Sequence, residues 1–302
     1  VISVIIATHN RQVSLRKCLE SVYLQTALPD EIVVVDDASN PPLTEDIFLG
    51  CPEKIRVKLI RNIESKKASG ARNVGIENAS GKYIAFLDDD DEYLPRKIER
   101  VLHCIVENDF PDVIYHAANV TLIREGISYK TRPKVPSDIF FQEMLVSNII
   151  GGTPMVVCKK EALQMAGGFD ENMPALEDYE LWLRMAKTGC RFFLLDEILT
   201  NYFYITGRCS VSKDIKNNSQ ARDLIYSKYN SEYAMLSKKE KLKNREAVAI
   251  DDLQRFLLNY AYWCSVKSAA KIFFIRPGFN NGLRFFIVLL GVKMSFMARS
   301  WT

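Results

Sequence analysis

The chain reads as an α/β protein: a mostly parallel central sheet with helices on both faces, followed by a helical, basic extension. Three observations predict it. Apolar, β-branched runs of strand length at residues 1–7, 31–35 and 83–87 alternate with segments whose apolar residues recur at helical spacing. Each run ends abruptly in polar residues, at Thr8/Asn10/Arg11, Asp36/Asp37 and Asp88/Asp90, so one edge of the sheet collects functional groups. After Tyr204 the character shifts, with 213–248 polar and lysine-rich and 249–272 amphipathic at helical spacing.

The elements follow in order. After the first run, Leu15, Cys18, Leu19, Val22 and Tyr23 mark a helix with Ser14 as its expected N-cap. The second run ends in Asp36-Asp37-Ala38-Ser39, and residues 55–60 make a third, alternating strand. Ser69-Gly70-Ala71-Arg72-Asn73-Val74-Gly75 opens a short helix. The strand at 83–87 then meets five acids, Asp88 to Glu92, and is stopped by Pro95. Helical spacing through Ile98, Leu102 and Ile105 leads to a strand at 112–116, then a polar hairpin or loop at 125–136. Gly151-Gly152-Thr153-Pro154 precedes a short strand at 155–158, and Gly167-Gly168-Phe169-Asp170 stops the helix after it. Glu177-Asp178-Tyr179-Glu180-Leu181-Trp182 begins a helix with acids at its positive end. The order implies a catalytic domain over 1–212, in which residues 1–95 bind a nucleotide and residues 96–212 form the acceptor side, and a helical extension over 213–302.

Composition narrows the function. With 48% hydrophobic and 25% charged residues among 302, the chain has a real core, and a net charge of +3 is too small to argue for a nucleic-acid partner. Seven cysteines with no C-x-x-C spacing read as core residues of a reducing compartment. The opening strand-like run reads as the absence of a signal peptide, and no apolar stretch reaches membrane-spanning length.

The acids at 88–92 carry the chemistry. Alone, such a run is a solvated turn at a helix start. At the end of a buried strand it becomes a place for a hard divalent cation, which is shared between carboxylates and substrate phosphates.

In these motifs the chain resembles the inverting glycosyltransferases of family 2, which have a GT-A fold. The matching pieces are Ser3-Val4-Ile5-Ile6-Ala7-Thr8-His9-Asn10-Arg11, Val35-Asp36-Asp37-Ala38-Ser39, Ala71-Arg72-Asn73-Val74-Gly75, Phe86-Leu87-Asp88-Asp89-Asp90-Asp91, Gly167-Gly168-Phe169-Asp170 and the segment from Glu177 to Trp182. The resemblance covers roughly the first 205 residues and implies a nucleotide-sugar donor, a UDP-sugar, with Mn2+ or Mg2+ at its diphosphate. It assigns the metal to Asp90 and Asp88, the two acids of a D-x-D motif, with Asp90 the direct ligand and Asp88 also near the ribose. The donor would contact Thr8, Asn10, Arg11, Asp37, Arg72 and Asp89 as well. It makes Asp178 the base that deprotonates the acceptor hydroxyl, its proton affinity raised by Glu177 beside it. The acceptor side would comprise Glu177, Trp182, Gly152 and Thr153, although Trp182 between two leucines also suits the core. One departure stands out: relatives carry a histidine after the catalytic helix, and residues 202–210 have none. His9 falls in the donor loop, while His103 and His116 read as structural.

After Asp252 the chain has no acid, while arginines and lysines accumulate around an apolar run at 285–290. That pattern suits a helix lying on an anionic membrane surface, or one packed on the catalytic domain or a partner subunit. The membrane reading implies a peripheral protein on the inner face of a bacterial inner membrane and a polyprenyl-diphosphate-linked saccharide acceptor in O-antigen or capsule synthesis. Other classes fit less well. A nucleotidyltransferase of related fold needs a Gly-rich loop after the first strand, and a receiver domain leaves Asp178 unexplained. An idle nucleotide-binding membrane scaffold has no need of every carboxylate.

Overall fold

Buried β-branched strands form the centre of the molecule. The computed structural model describes residues 1–131, 133–136, 140–204, 214–259 and 261–275. β1 (Ile2–Thr8) and β2 (Glu31–Asp37) are buried almost throughout, as strands covered on both faces must be. Between them α1 (Gln12–Tyr23) turns Leu15, Cys18, Leu19 and Val22 inward. Ser14 is not its cap: the helix starts directly after Arg11, and the Ser14 hydroxyl donates to the Arg11 carbonyl from within the first turn. β3 (Arg56–Asn62), α2 (Lys67–Asn78) and β4 (Tyr83–Phe86) follow. Gly75 lets α2 lie against β1, since a methyl group there would stand 2.4 Å from Ile5 Cγ2.

Next come β5 (Glu92–Tyr93), α3 (Lys97–Glu107), β6 (Val113–Leu122) and β7 (Ile127–Lys130). The polar stretch around Glu125 is a hairpin, with β7 antiparallel to β6. α4 (Phe140–Val146), β8 (Val156–Lys159), α5 (Lys160–Met165), α6 (Glu177–Lys187) and β9 (Phe192–Tyr204) complete the sheet and its covering helices. Among the described residues nine strands form one sheet in the order β3-β2-β1-β4-β8-β6-β9-β5, with β7 beside β6. The long ladders, β1–β2, β2–β3 and β6–β9, are parallel. β8 enters antiparallel to both neighbours, β4 and β6, and joins the two parallel regions.

Each face of the sheet carries its own core. One contains Phe86, Tyr115, Phe169 and Trp182. The other contains Leu19, Val34, Ile98 and Leu199.

The extension is α7 (Ile215–Lys228), α8 (Asn230–Met235), α9 (Lys238–Leu258) and α10 (Tyr262–Ile275). The amphipathic stretch at 249–272 therefore belongs to two helices, which pack on each other around Leu253, Leu257, Ala269 and Ile272. The apolar core also runs across the boundary expected at 212: Ala221, Ile225 and Tyr229 join the cluster that holds Trp182. Lys228 adds a polar tie to Glu180 at 3.1 Å and to Asp170. Residues 205–213 and 276–302, including the apolar run at 285–290, lie outside the described residues. Among the described residues no helix is long and apolar enough to cross a membrane.

Candidate active site

The ends of β1, β2 and β4 open on one edge of the sheet and border a cavity of about 790 Å³. Sheets of this kind bind ligands beyond the carboxyl ends of their strands. The expected residues converge there. Thr8, closing β1, donates from its hydroxyl to Asp89 Oδ2 at 2.7 Å. Arg11 bridges two acids, with Nη1 at 2.9 Å from Asp89 and 2.8 Å from Asp90. Asp89 is buried and fully engaged, whereas the side chain of Asp90 is 40% exposed. Burial, then repulsion from Asp88 and Asp89 against the pull of Arg11, pushes the Asp90 carboxyl up to about 6.

Arg72 lies across the floor of the cleft. Its Nη2 is 2.7 Å from Asp88 and its Nη1 3.0 Å from Glu177, which ties the end of β4 to the start of α6. Burial opposes its charge, but Asp88 and Glu177 outweigh burial and hold the guanidinium above its ordinary range. Phe169 lies beneath it, with the guanidinium carbon 5.5 Å from the ring centre. Thr153 adds a 3.3 Å hydroxyl contact to the same oxygen of Asp88.

At the end of β2 the two aspartates divide. Asp36 anchors its own loop, accepting from the Ser39 and Leu43 amides and from Arg61 at 2.8–3.1 Å. Asp37 lines the cleft and accepts from Asn62 at 2.8 Å and Ser65 at 2.6 Å. Asn10 does not line this cleft. Its amide oxygen accepts from the Asn40 backbone at 2.7 Å, and it borders a neighbouring cavity that shares Arg11 and Asp90. A left-handed turn at Asn10 (φ 56°) swings it that way.

Asp178 stands at the first turn of α6, whose preceding residue, Leu176, is left-handed (φ 57°) and turns the acids into the cleft. Its Oδ1 accepts from the Tyr179 amide at 2.6 Å. Oδ2 faces Gly152, where an added methyl group would stand 3.6 Å away. Burial, reinforced by the Glu177 charge, pushes the Asp178 carboxyl up to about 7. Such a group takes a proton readily near neutral pH, which is what a general base requires.

Trp182 corrects an expectation. It has 0% exposure, packs edge-on to Phe169 and donates Nε1–H to the Gly151 carbonyl at 3.2 Å. It cannot touch an acceptor, because α6 points it into the sheet-facing core. Its hydrogen bond instead holds the loop on which Gly152 and Thr153 sit.

Several supporting residues have no role that the sequence alone assigns. Lys97, fully buried, donates to the Pro154 carbonyl at 2.6 Å and to Thr200 at 3.3 Å. It thereby secures the 3-10 turn Thr153–Met155. Asn73 exchanges hydrogen bonds with the Phe169 backbone, amide oxygen to N–H at 2.8 Å and amide nitrogen to carbonyl at 2.9 Å. Gly168 makes room for it, since a methyl group there would fall 2.6 Å from Asn73 Oδ1. The far wall of the cavity includes Tyr129 of the hairpin, Tyr202 of β9, and Gln254 and Arg255 of α9. The expected acceptor side thus gains residues from the extension.

Fold and cleft together define a GT-A glycosyltransferase. The S. aureus TarS fragment 1–349 superposes with a TM-score of 0.56, covering 92% of each chain. Its complex with UDP-GlcNAc gives 0.59, covering 90% of this chain and 91% of that one. At 19% and 17% identity these likenesses show the fold alone. The chain itself belongs to glycosyl transferase family 2, whose model matches residues 3–164. An uncharacterized glycosyltransferase of Haemophilus influenzae is 31% identical over 297 residues, 98% of this chain and 96% of that one. The amylovoran biosynthesis glycosyltransferase AmsB of Erwinia amylovora is 29% identical over 216 residues, 68% of this chain and 70% of that one.

Proposed function

We propose that the protein moves a hexose, with inversion, from a UDP-sugar to a hydroxyl of a saccharide acceptor carried on a polyprenyl diphosphate, in bacterial surface polysaccharide synthesis. One observation carries the reading: a carboxyl poised near neutrality, Asp178, shares a cleft with the acids at the end of β4 and the arginine between them. The UDP-GlcNAc complex of TarS supports the donor class, and the amylovoran role in the name of AmsB supports the pathway class.

The donor set suits Mn2+ or Mg2+. Asp88 and Asp90 flank the engaged Asp89 and both line the cleft, and among the described residues no group of three or more His, Cys, Asp or Glu is arranged to hold a metal without the substrate. Two carboxylates with diphosphate oxygens completing the shell is the usual Mg2+ habit. Asp90 and Asp88 would hold the ion, which when bound neutralises charge on the departing diphosphate. Asp37 accepts from the base, and Arg11 and Arg72 are placed to take up phosphate or sugar oxygens as their bonds to the acids rearrange. Asp178 accepts the proton of the acceptor hydroxyl as its oxygen attacks the anomeric carbon, and UDP leaves from the opposite side. The extension brings the cleft to a membrane surface where such an acceptor resides.

Calorimetry of UDP with Mn2+ and with EDTA tests the donor site. The parent should bind UDP more tightly with Mn2+, and Asp90→Asn should abolish that gain while matching the parent in EDTA. Equal loss in EDTA would contradict the ligand role, and metal-independent UDP binding by the parent would contradict metal dependence.

A further inference from the structure

The outward face of α10 has an unusual composition. Trp263, Lys267, Lys271 and Phe274, spaced four, four and three residues apart, fall on one side of the helix. All four are exposed, Trp263 by 74% and Phe274 by 80%. The opposite side, with Ser265, Ser268, Ala269 and Ile272, is buried against α9. A solvated helix normally presents charge of both signs outward and its aromatics inward. Here two large aromatics and two lysines point out, and the chain beyond Asp252 holds no acid.

We propose that this face of α10 docks on an anionic lipid bilayer. Trp and Phe rings enter the boundary between headgroups and acyl chains, while lysine stems lie along it with their ammonium groups on lipid phosphates. The occupant follows from charge complementarity and from what comes next in the sequence. Residues 276–302 begin where α10 stops, carry Arg276, Arg284, Lys293 and Arg299, and hold an apolar run at 285–290. α10 packs on α9, and α9 carries Gln254 and Arg255 to the cleft wall. A bilayer under α10 therefore lies one helix away from the cavity, as a lipid-borne acceptor requires. The inference rests on the membrane reading above and assigns it to named residues.

Co-sedimentation of the full chain with vesicles of phosphatidylcholine, alone or mixed with phosphatidylglycerol, tests it. The parent should partition onto the mixed vesicles and release with added salt. The double variant Lys267→Glu/Lys271→Glu should partition at least about 25-fold less, at roughly fivefold for each lysine. Trp263→Ser/Phe274→Ser should weaken binding, while the partitioning that remains keeps the parent's salt dependence. All four residues are exposed, so the variants should fold, and unchanged circular dichroism and UDP affinity establish that they do. Parent-like partitioning of both variants would overturn the assignment to α10 and leave the tail as the sole anchor. No partitioning by the parent would overturn the membrane reading itself. Neither result would touch the transferase, whose UDP binding is measured separately.

Discussion

Asp178, half-buried beside Glu177, is proposed as the base, and the desolvation and like charge that raise its proton affinity have a readable consequence. The carboxyl accepts a proton only while ionised. Because its proton affinity is raised to about 7, kcat/KM should fall about tenfold per pH unit below 7 and level off above it. Asp178→Asn should lower kcat by roughly two to four orders of magnitude, abolish that limb and leave UDP affinity near the parent's. A variant that keeps turnover, or keeps the acid limb, would remove Asp178 from the chemistry. At this scale the sequence spoke unevenly. The carboxylates at 36–37 and 88–90 were legible because they sit at strand ends, whereas Asp178 was singled out only by the resemblance of its segment to the family. Trp182 was ambiguous, since a flanking leucine pair says core while an acidic neighbourhood says cleft. Lys97 was invisible: just after a proline, at the start of a helix, a lysine reads as solvated, and only the three-dimensional fold brings Pro154 and Thr200 around its side-chain nitrogen.

Among the elements, the strands were the easiest to foresee. A buried parallel strand must be apolar on both faces, so β1, β2 and β4 announce themselves as continuous apolar runs. β8 looks no different in sequence, and nothing in four residues tells that it runs against its neighbours. The break between α9 and α10 was likewise missed, because apolar spacing persists through it. That break matters to the site, since of the two helices it is α9 whose described residues line the cavity. Arg255 pairs with Asp251 at 2.9 Å and lines the wall opposite the donor loops. Arg255→Ala should raise the KM for acceptor about tenfold, the loss of one charge-assisted hydrogen bond, while kcat and UDP affinity change less than twofold. Initial-rate kinetics with varied acceptor would check this, and an unchanged KM would return the wall to a structural role.

Over the whole molecule, one sheet brings the end of β4 and the start of α6 side by side. The cleft between them is spanned by Arg72, which contacts Asp88 on one side and Glu177 on the other. The fold class followed from alternation of runs and from the polar strand ends, and the family relationship from six short motifs in order. The way the extension joins the rest did not follow, because helices that dock on a core look like any amphipathic helices until their partner is known. Their docking limits how far the enzyme can be trimmed. A chain ending at residue 212 would strip Ala221, Ile225 and Tyr229 from the larger apolar cluster and take Lys228 from Asp170 and Glu180. Such a fragment should show a broadened thermal transition and bind a hydrophobic dye, whereas a sharp, cooperative melt would refute this. The smallest working catalyst is then longer than the stretch that bears its motifs, and what looks like an appendage belongs to the wall that keeps the chemistry in place.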